Sequence, residues 1–431
     1  MSDNREISIR VPVLARVEGE GALELDIRDG QIENLKLRIY EPPRLFEKFL
    51  EGRSYEEVPD LVARICGICP VAYQMSAVHA LESIFKTQIT PWIRNMRRLI
   101  YCGEWIESHA LHIHLLAAPD FIGYRGVAEM AKDYPDEVRR GLRLQALGNE
   151  IIKFLGARSV HPVGVCVGGF YHAPDMDKAR ALLQKLQAAL PEAEALIRWV
   201  ASIDIPKDEQ PFTSVALRHG NEYAMNEGQI VSDRGLDVAA AEFENQFKEQ
   251  QAPYSTALHC HLHGEPYLVG PLARLNLNHD RLPDELKALL QKIGVVWPSR
   301  NMYHSIVARA VEIWYALWQA IEILQEYRVE TPRVEVQPQA GIGYAATEAP
   351  RGMLWHRYQT DEKGVIVNAA IVPPTSQNQA RIEQDLRLAL NAYGLHHSDD
   401  ELRQRAEMVV RNYDPCISCS THFLDLRVQR S

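Results

Sequence analysis

The chain has 431 residues, 46% of them apolar, which is enough to bury a large core, and its formal charge of −10 repels a phosphate backbone. No Lys/Arg cluster reverses that charge locally, so no nucleic acid partner is expected. The start, Met1-Ser2-Asp3-Asn4-Arg5-Glu6, is charged where a signal peptide is apolar, and no uncharged run reaches the ~18 residues of a membrane span, so the expectation is a cytoplasmic chain with no direct membrane span.

Residues 7 to 40 alternate apolar and polar side chains around a turn at Asp29-Gly30, the pattern of a small antiparallel meander. The period then changes. Apolar residues spaced three and four apart over 92–117, 178–203 and 305–328 predict long helices, the first bracketed by Pro91 and Pro119, the second capped at Asp175-Met176-Asp177. Residues 205–300, with alternation at Tyr267-Leu268-Val269 and scattered Gly and Pro, read as a strand-and-loop insert. The expected organisation is one large domain, mainly α with a small N-terminal antiparallel β meander (α+β). Its parts are the meander (1–45), a helical core with a first cysteine pair (46–204), the insert (205–300), a helical core with a second pair (301–422), and a tail (423–431).

Four of the seven cysteines form two Cys-x-x-Cys pairs, Cys66/Cys69 and Cys416/Cys419, near opposite ends of the chain. In a chain this long, that arrangement points to metal or redox chemistry in a reducing compartment rather than to a disulfide framework. Thiolates suit Ni, Fe and Zn, so a structural Zn held by four cysteines is the simplest reading, and a dithiol redox pair needs only one of the two motifs. The flanks point elsewhere: Cys69 precedes a long apolar helical stretch and Cys416 closely follows an apolar-periodic helix, so both pairs are expected in a large core. A site there serves chemistry on a molecule small enough to diffuse through protein. The tract His259-Cys260-His261-Leu262-His263 places its histidines on one strand face with Cys260 opposite, and reads as structural. Cys102 and Cys166 read as small buried apolar residues. Glu107, His109, His112 and His114 share one helix; His112 reads as packed beside the site, and the others carry no assigned role.

Arg64-Ile65-Cys66-Gly67-Ile68-Cys69-Pro70, taken with Asp414-Pro415-Cys416-Ile417-Ser418-Cys419-Ser420-Thr421-His422, resembles the paired signature of nickel-iron hydrogenase large subunits. The resemblance extends through Ala15-Arg16-Val17-Glu18-Gly19, Glu47, His112, His161-Pro162, Gly168-Gly169 and Ala349-Pro350-Arg351-Gly352, essentially the full chain. It implies that family's large-subunit fold and reversible heterolytic cleavage of H2. All four thiolates would bind Ni, Cys66 and Cys416 as terminal ligands, with Cys69 and Cys419 bridging to an Fe that carries CN and CO. Soft sulfur suits redox-active Ni better than carboxylate does.

The resemblance further implies a proton carrier at Glu18, a guanidinium overhanging the metals at Arg351, and acidic partners for it at Asp120 and Asp414. Asp414 also reads as a cap or turn residue before Pro415. Glu47 and His422 would hold a Mg or Fe ion near the C-terminus, and a maturation protease would cut after His422, releasing Phe423 to Ser431. Two departures stand out. Glu20 follows Gly19 where many relatives have His. Tyr73 replaces a His of many membrane-linked relatives, which favours the cytoplasmic NAD(P)-linked branch, sulfhydrogenases included. The spare cysteines Cys102, Cys166 and Cys260 lack iron-sulfur spacing, so the expected partners are an iron-sulfur small subunit, with flavin and NAD(P)-binding diaphorase subunits beyond it. The alternatives are a metal-free subunit of a quinone oxidoreductase, a hydrogen sensor and a structural Zn protein.

Overall fold

The structure, a computed structural model, describes residues 6–421. His422 and the 423–431 tail, both singled out from the sequence, lie outside the described residues. Strands β1 (Ile7–Val11), β2 (Gly21–Arg28) and β3 (Gln31–Ile39) form the antiparallel meander in that order. Alternation buries Ile7, Ile9 and Val11 of β1 and exposes Ser8 and Arg10. Asp29 and Gly30 both take positive φ, 49° and 71°, as a tight hairpin turn requires.

After two short helices, Phe46–Leu50 and Val58–Val62, come the long helices α1 (Pro70–Phe85), α2 (Pro91–Leu111), α3 (Pro135–Gly156) and α4 (Met176–Ser202). Pro opens the first three, where its missing N–H costs no helical hydrogen bond. Thr90 and Asp175 cap α2 and α4, accepting from the amides of Ile93 at 3.2 Å and Lys178 at 2.8 Å. Beyond Leu111, α2 widens into a π-helical stretch, His112–Ala117, just before Pro119. A proline ring clashes with the carbonyl four residues earlier in a regular α-helix, and the wider turn relieves that clash.

Between 205 and 300, β4 (Val215–Arg218), β5 (Gln229–Ser232) and β6 (Asp237–Val238) form one sheet, and β7 (Phe247–Gln251) pairs with β8 (Leu258–Leu262). Two helices follow in the segment read as strand and loop, α5 (Pro271–Asn278) and α6 (Asp284–Ile293). They are 8 and 10 residues long, too short for a 3.6-residue period to stand clear of the surrounding Gly and Pro. Helix α7 (Ser305–Gln325) crosses the core. A second departure comes next: β9 (Gly341–Ala349), β10 (Gly352–Thr360) and β11 (Ile366–Val372) make an antiparallel meander inside the segment read as helical. Ala345–Ala349 and Gly352–His356 are buried on both faces, so the alternation that announces a strand is missing there. Helices α8 (Pro374–Tyr393) and α9 (Asp399–Asn412) close the chain, α9 behind a Ser398/Glu401 capping box.

The first meander packs with α8 and α9 into one apolar cluster, which includes Ile417, while the long helices form another, which includes Cys66, Cys69, Cys416 and Cys419. The two cysteine pairs therefore lie at the seam. Among the described residues no helix is long and apolar enough to cross a membrane.

Candidate metal centre

Each cysteine pair sits on a short helical start. Cys66 is extended (φ −136°, ψ 137°), and Cys69 is the N-cap of α1, with Pro70 at its first position. Cys69 offers no side-chain cap to α1. Glu104 of α2 supplies it, accepting from the amides of Val71 at 2.6 Å and Ala72 at 3.0 Å. After α9, Asp414 takes φ +55°, Pro415 follows, and a single turn, Ile417–Ser420, carries Cys419. The Cys416 amide donates to Thr375 Oγ1 at 3.0 Å.

The chain start clasps this second pair. Glu18 bridges Cys416 in parallel register, and the Ile417 amide donates to the Glu18 carbonyl at 2.9 Å. Gly19, at φ +89°, leaves room for that approach, since a Cβ there would stand 2.7 Å from Ile417 Cβ. The Arg44 guanidinium donates to the Ile65 carbonyl at 2.8 Å and to that of Ser418, joining the two cysteine segments directly.

The four sulfurs converge within 4.8 Å of one another, all buried and none in a disulfide, and Cys66 and Cys416 Sγ are 3.5 Å apart. Hydrogen bonds from Cys416, Cys419 and Cys69 hold the Cys66 thiol well below its ordinary value, while burial pushes Cys416 well above. The four sulfurs cannot all carry charge easily, because several thiolates in contact in a dry cup repel one another. A thiophilic cation removes that repulsion, so the donor set fits soft transition metals. Glu18 Oε2 accepts from Cys416 Sγ at 3.1 Å and from the Ser418 amide at 3.0 Å. Tyr73, one turn into α1, is fully buried, and burial with the nearby sulfurs pushes its hydroxyl well up, keeping it neutral.

Arg351 stands in the β9–β10 turn, 3% exposed, with Nε donating to the Asp414 carbonyl at 2.7 Å and pairing with its carboxylate at 3.2 Å. Its Nη1 has no hydrogen-bond partner among the described residues, and Cys416, Cys69 and Cys66 lie within its electrostatic reach. Asp120 goes elsewhere: it pairs with Arg16 and, at 2.7 Å, with Arg411, in a surface cleft. Glu47 Oε1 accepts from the Ile371 amide at 2.6 Å. Beside it, burial and then Glu47 itself push Glu249 up to about 8. Glu20 is exposed, its amide donating to Glu41 at 3.2 Å. Cys260 is buried and accepts from Tyr267 Oη at 3.3 Å, and burial raises its thiol, so the His259–His263 tract holds an inert sulfur.

Sequence reasoning passed over Glu104, Arg44, Thr375 and Glu249, and left Glu107 unassigned. Burial pushes the Glu107 carboxyl well up against the pull of Arg351, which places it near the same charges. Each is a lone polar residue far in sequence from what it holds; the one available signal is a charged residue at an apolar helical position, as with Glu104 and Glu107 on α2.

Comparison with known proteins follows the same lines. The sequence pattern of the family described as nickel-dependent hydrogenase matches residues 44–139 and 221–422. The chain is 34% identical to the alpha subunit of sulfhydrogenase 1 of Pyrococcus furiosus, over 98% of this chain and 100% of that one. It is 32% identical to the alpha subunit of sulfhydrogenase 2 of the same organism, over 97% and 100%. Its fold superposes on an NAD+-reducing [NiFe]-hydrogenase in the H2-reduced state with a TM-score of 0.87 at 27% identity, covering 96% of this chain and 99% of that one. A [NiFeSe] hydrogenase of Desulfovibrio vulgaris Hildenborough shares the fold at a TM-score of 0.81 and 23% identity, over 97% and 100%.

Proposed function

The chain belongs to the nickel-dependent hydrogenase family, and on that premise we propose that it catalyses H2 ⇌ 2H+ + 2e− at the four-cysteine cup and passes the electrons to an iron-sulfur partner. The observation that carries this reading is the placement of Glu18 3.1 Å from Cys416 beside a cup whose sulfurs lie within 4.8 Å of one another. A structural Zn site needs neither a carboxylate in contact with a ligand nor a buried cation such as Arg351 over it.

Cys66 and Cys416 would hold Ni alone, and Cys69 and Cys419 would hold Ni and Fe together, the Fe completed by CN and CO. When bound, the metal pair supplies the two-electron heterolysis of H2. The protein's own work is to move the proton and fix the charges. Cys416 Sγ donates to Glu18 Oε2, so a proton on that sulfur has a direct exit toward the surface. The Ser418 amide holds the same oxygen in place. Arg351, clamped by Asp414, sets a fixed positive charge over the sulfurs in a site with little water. Asp120, tied to Arg16 and Arg411, would act on the canopy only through Arg411, which lies in the last turn of the helix that precedes Asp414. Glu47, with His422, would hold the Mg or Fe ion, and Glu249, pushed up to about 8 by burial and by Glu47, is a neighbouring carboxyl that a divalent cation would draw back to its charged form.

Electrons need a carrier outside this chain, since Cys102, Cys166 and Cys260 are separately buried and make no cluster site among the described residues. We place an iron-sulfur small subunit there, followed by flavin and NAD(P)-binding subunits in the cytoplasm. Tyr73 and the likeness to an NAD+-reducing enzyme support that branch. A maturation protease would remove Phe423 to Ser431, and intact mass of the nickel-loaded protein reports whether it does.

The test is metal analysis with H2-dependent dye reduction. Both Ni and Fe are expected, Fe in excess of Ni by the iron of the partner's clusters, with Ni and activity both lost in Cys416→Ser, because a hydroxyl is a harder and far less acidic ligand. Zn alone, or full activity in Cys416→Ser, overturns the reading. H2-dependent reduction of NAD+ or NADP+ by the complex tests the acceptor.

A further inference from the structure

A hairpin turn is a soft mount for a long side chain, yet Ala349-Pro350-Arg351-Gly352 must hold a guanidinium over the sulfurs. We infer that Arg274 is a positioning residue that locks this turn, and that Arg351 keeps its place through it. This rests on the role proposed above for Arg351.

Arg274 lies in the first turn of α5 and is fully buried. Its Nη1 donates to the Ala349 carbonyl at 2.7 Å, and its Nη2 to the Pro350 carbonyl at 3.1 Å. Those are the two carbonyls immediately before Arg351. The same guanidinium is held from the other side. Nη1 also donates to Glu348 Oε2 at 2.8 Å, while Nε and Nη2 each donate to an oxygen of Glu312 at 2.8 Å. A guanidinium has about five N–H groups in a fixed fork, and here every one has an acceptor. Lysine, with three donors at one nitrogen, cannot reach four acceptor groups spread around a plane.

The mount is itself rigid. Glu312 stands on α7 and accepts from His109 of α2 at 2.8 Å and from Tyr223 Oη at 2.7 Å. The Trp105 ring lies 4.4 Å beneath the Arg274 guanidinium. The turn is seated from outside as well, since a Cβ on Gly352 would come 2.9 Å from the Gly270 nitrogen. Arg274 thus links the turn to α2 and α7 through directional bonds, which a generic buried ion pair does not require.

Arg274→Lys in the full chain tests this in two ways. In the metal-free chain, amide exchange of the peptide spanning 345–355 is expected to speed up at least ~10-fold while that of β1–β3 stays unchanged. Unchanged exchange at the turn overturns the inference. In the nickel-loaded complex, turnover is expected to fall roughly 10- to 100-fold with Ni and Fe contents retained. Adding Arg351→Lys is then expected to cost no more than Arg351→Lys costs alone, because one residue acts through the other. Additive losses overturn the inference. A loosened turn together with wild-type turnover in Arg351→Lys keeps the mount and removes the role given to Arg351. If Arg274→Lys does not fold, Glu348→Gln, which weakens one bond of the fork, is expected to show the same exchange pattern at smaller amplitude, and its absence overturns the inference.

Discussion

Glu18 and Cys416 are 398 positions apart in the chain and 3.1 Å apart in space, joined by a sulfur-to-carboxylate hydrogen bond and a backbone bridge. The backbone bridge is independent of the side chain, so Glu18→Gln leaves the clasp intact and removes only the group that takes a proton. Metal content is expected to stay at wild-type level. Isotope exchange between H2 and D2O, followed by mass spectrometry of HD, is expected to slow by about 10²-fold or more, the usual weight of a positioned proton carrier. Exchange at the wild-type rate means the proton leaves by another route.

Glu82 of α1 and Arg97 of α2 form a buried two-pronged pair at 2.5 and 2.7 Å, and Glu82 also accepts from the Gly168 amide at 2.7 Å. One carboxylate therefore ties two core helices to a loop. Arg97→Met strands that charge in the interior and is expected to cost ~3–5 kcal/mol in denaturant unfolding. Glu82→Gln added to Arg97→Met removes the stranded charge and should recover part of the loss. A double variant less stable than Arg97→Met would show that the charge was not the cause.

Burial lowers the His114 pKa from 6.5 to about 4, with Arg140 pulling the same way. The ring stays neutral, Nδ1 donating to the Ala110 carbonyl at 2.9 Å and the face stacked on Trp199 at 5.8 Å. The unfolded chain takes up this proton near pH 6.5 and the folded chain only near 4, so the contribution is complete above 6.5 and is lost as pH falls through that window. The full effect of one such histidine is ~3 kcal/mol. His114→Phe keeps a stacked ring and removes the titration. Its melting temperature is expected to fall less steeply between those pH values than that of the wild type, with the slope due to His79, His109, His112 and His259 remaining. Identical slopes would rule His114 out as an acid trigger.

The four cysteines, Glu18 and the long helices were legible because spacing and periodicity are local properties of the chain. Tertiary partners are not local. Arg44 gives no sign in its own neighbourhood that it will join Ile65 to Ser418, and Glu104 caps α1 from a different helix. The β9–β11 meander escaped for a related reason. Strands buried on both faces lose the alternation that identifies a sheet with one wet side, so Arg351 was found through its motif while the turn that carries it was not. Asp120 shows the limit of transferring a role by motif: its position in the chain was clear, but its choice of Arg16 and Arg411 depends on side chains that only the fold brings near.

Gly148 offers a final test, because the ordinary expectation for its substitution has the opposite sign. Replacing a glycine inside a helix with alanine normally stabilises by ~0.5–1 kcal/mol, since the backbone has less freedom to lose. On α3, however, a Cβ at Gly148 would lie 2.5 Å from both the Gly103 carbonyl oxygen and the Glu107 amide nitrogen of α2, and 2.8 Å from Glu107 Cβ. Two of these are backbone atoms within a regular helix, so no side-chain rotation can yield; the helices must separate. Overpacking of this kind costs ~1–3 kcal/mol, which outweighs the gain in helix propensity. Gly148→Ala is therefore expected to lower the stability of the metal-free chain in thermal or denaturant unfolding. Because α2 also carries Glu104, the cap of the helix that starts at Cys69, nickel retention is expected to weaken in the same variant. A stabilised Gly148→Ala would show that α2 and α3 do not meet at this close crossing in solution.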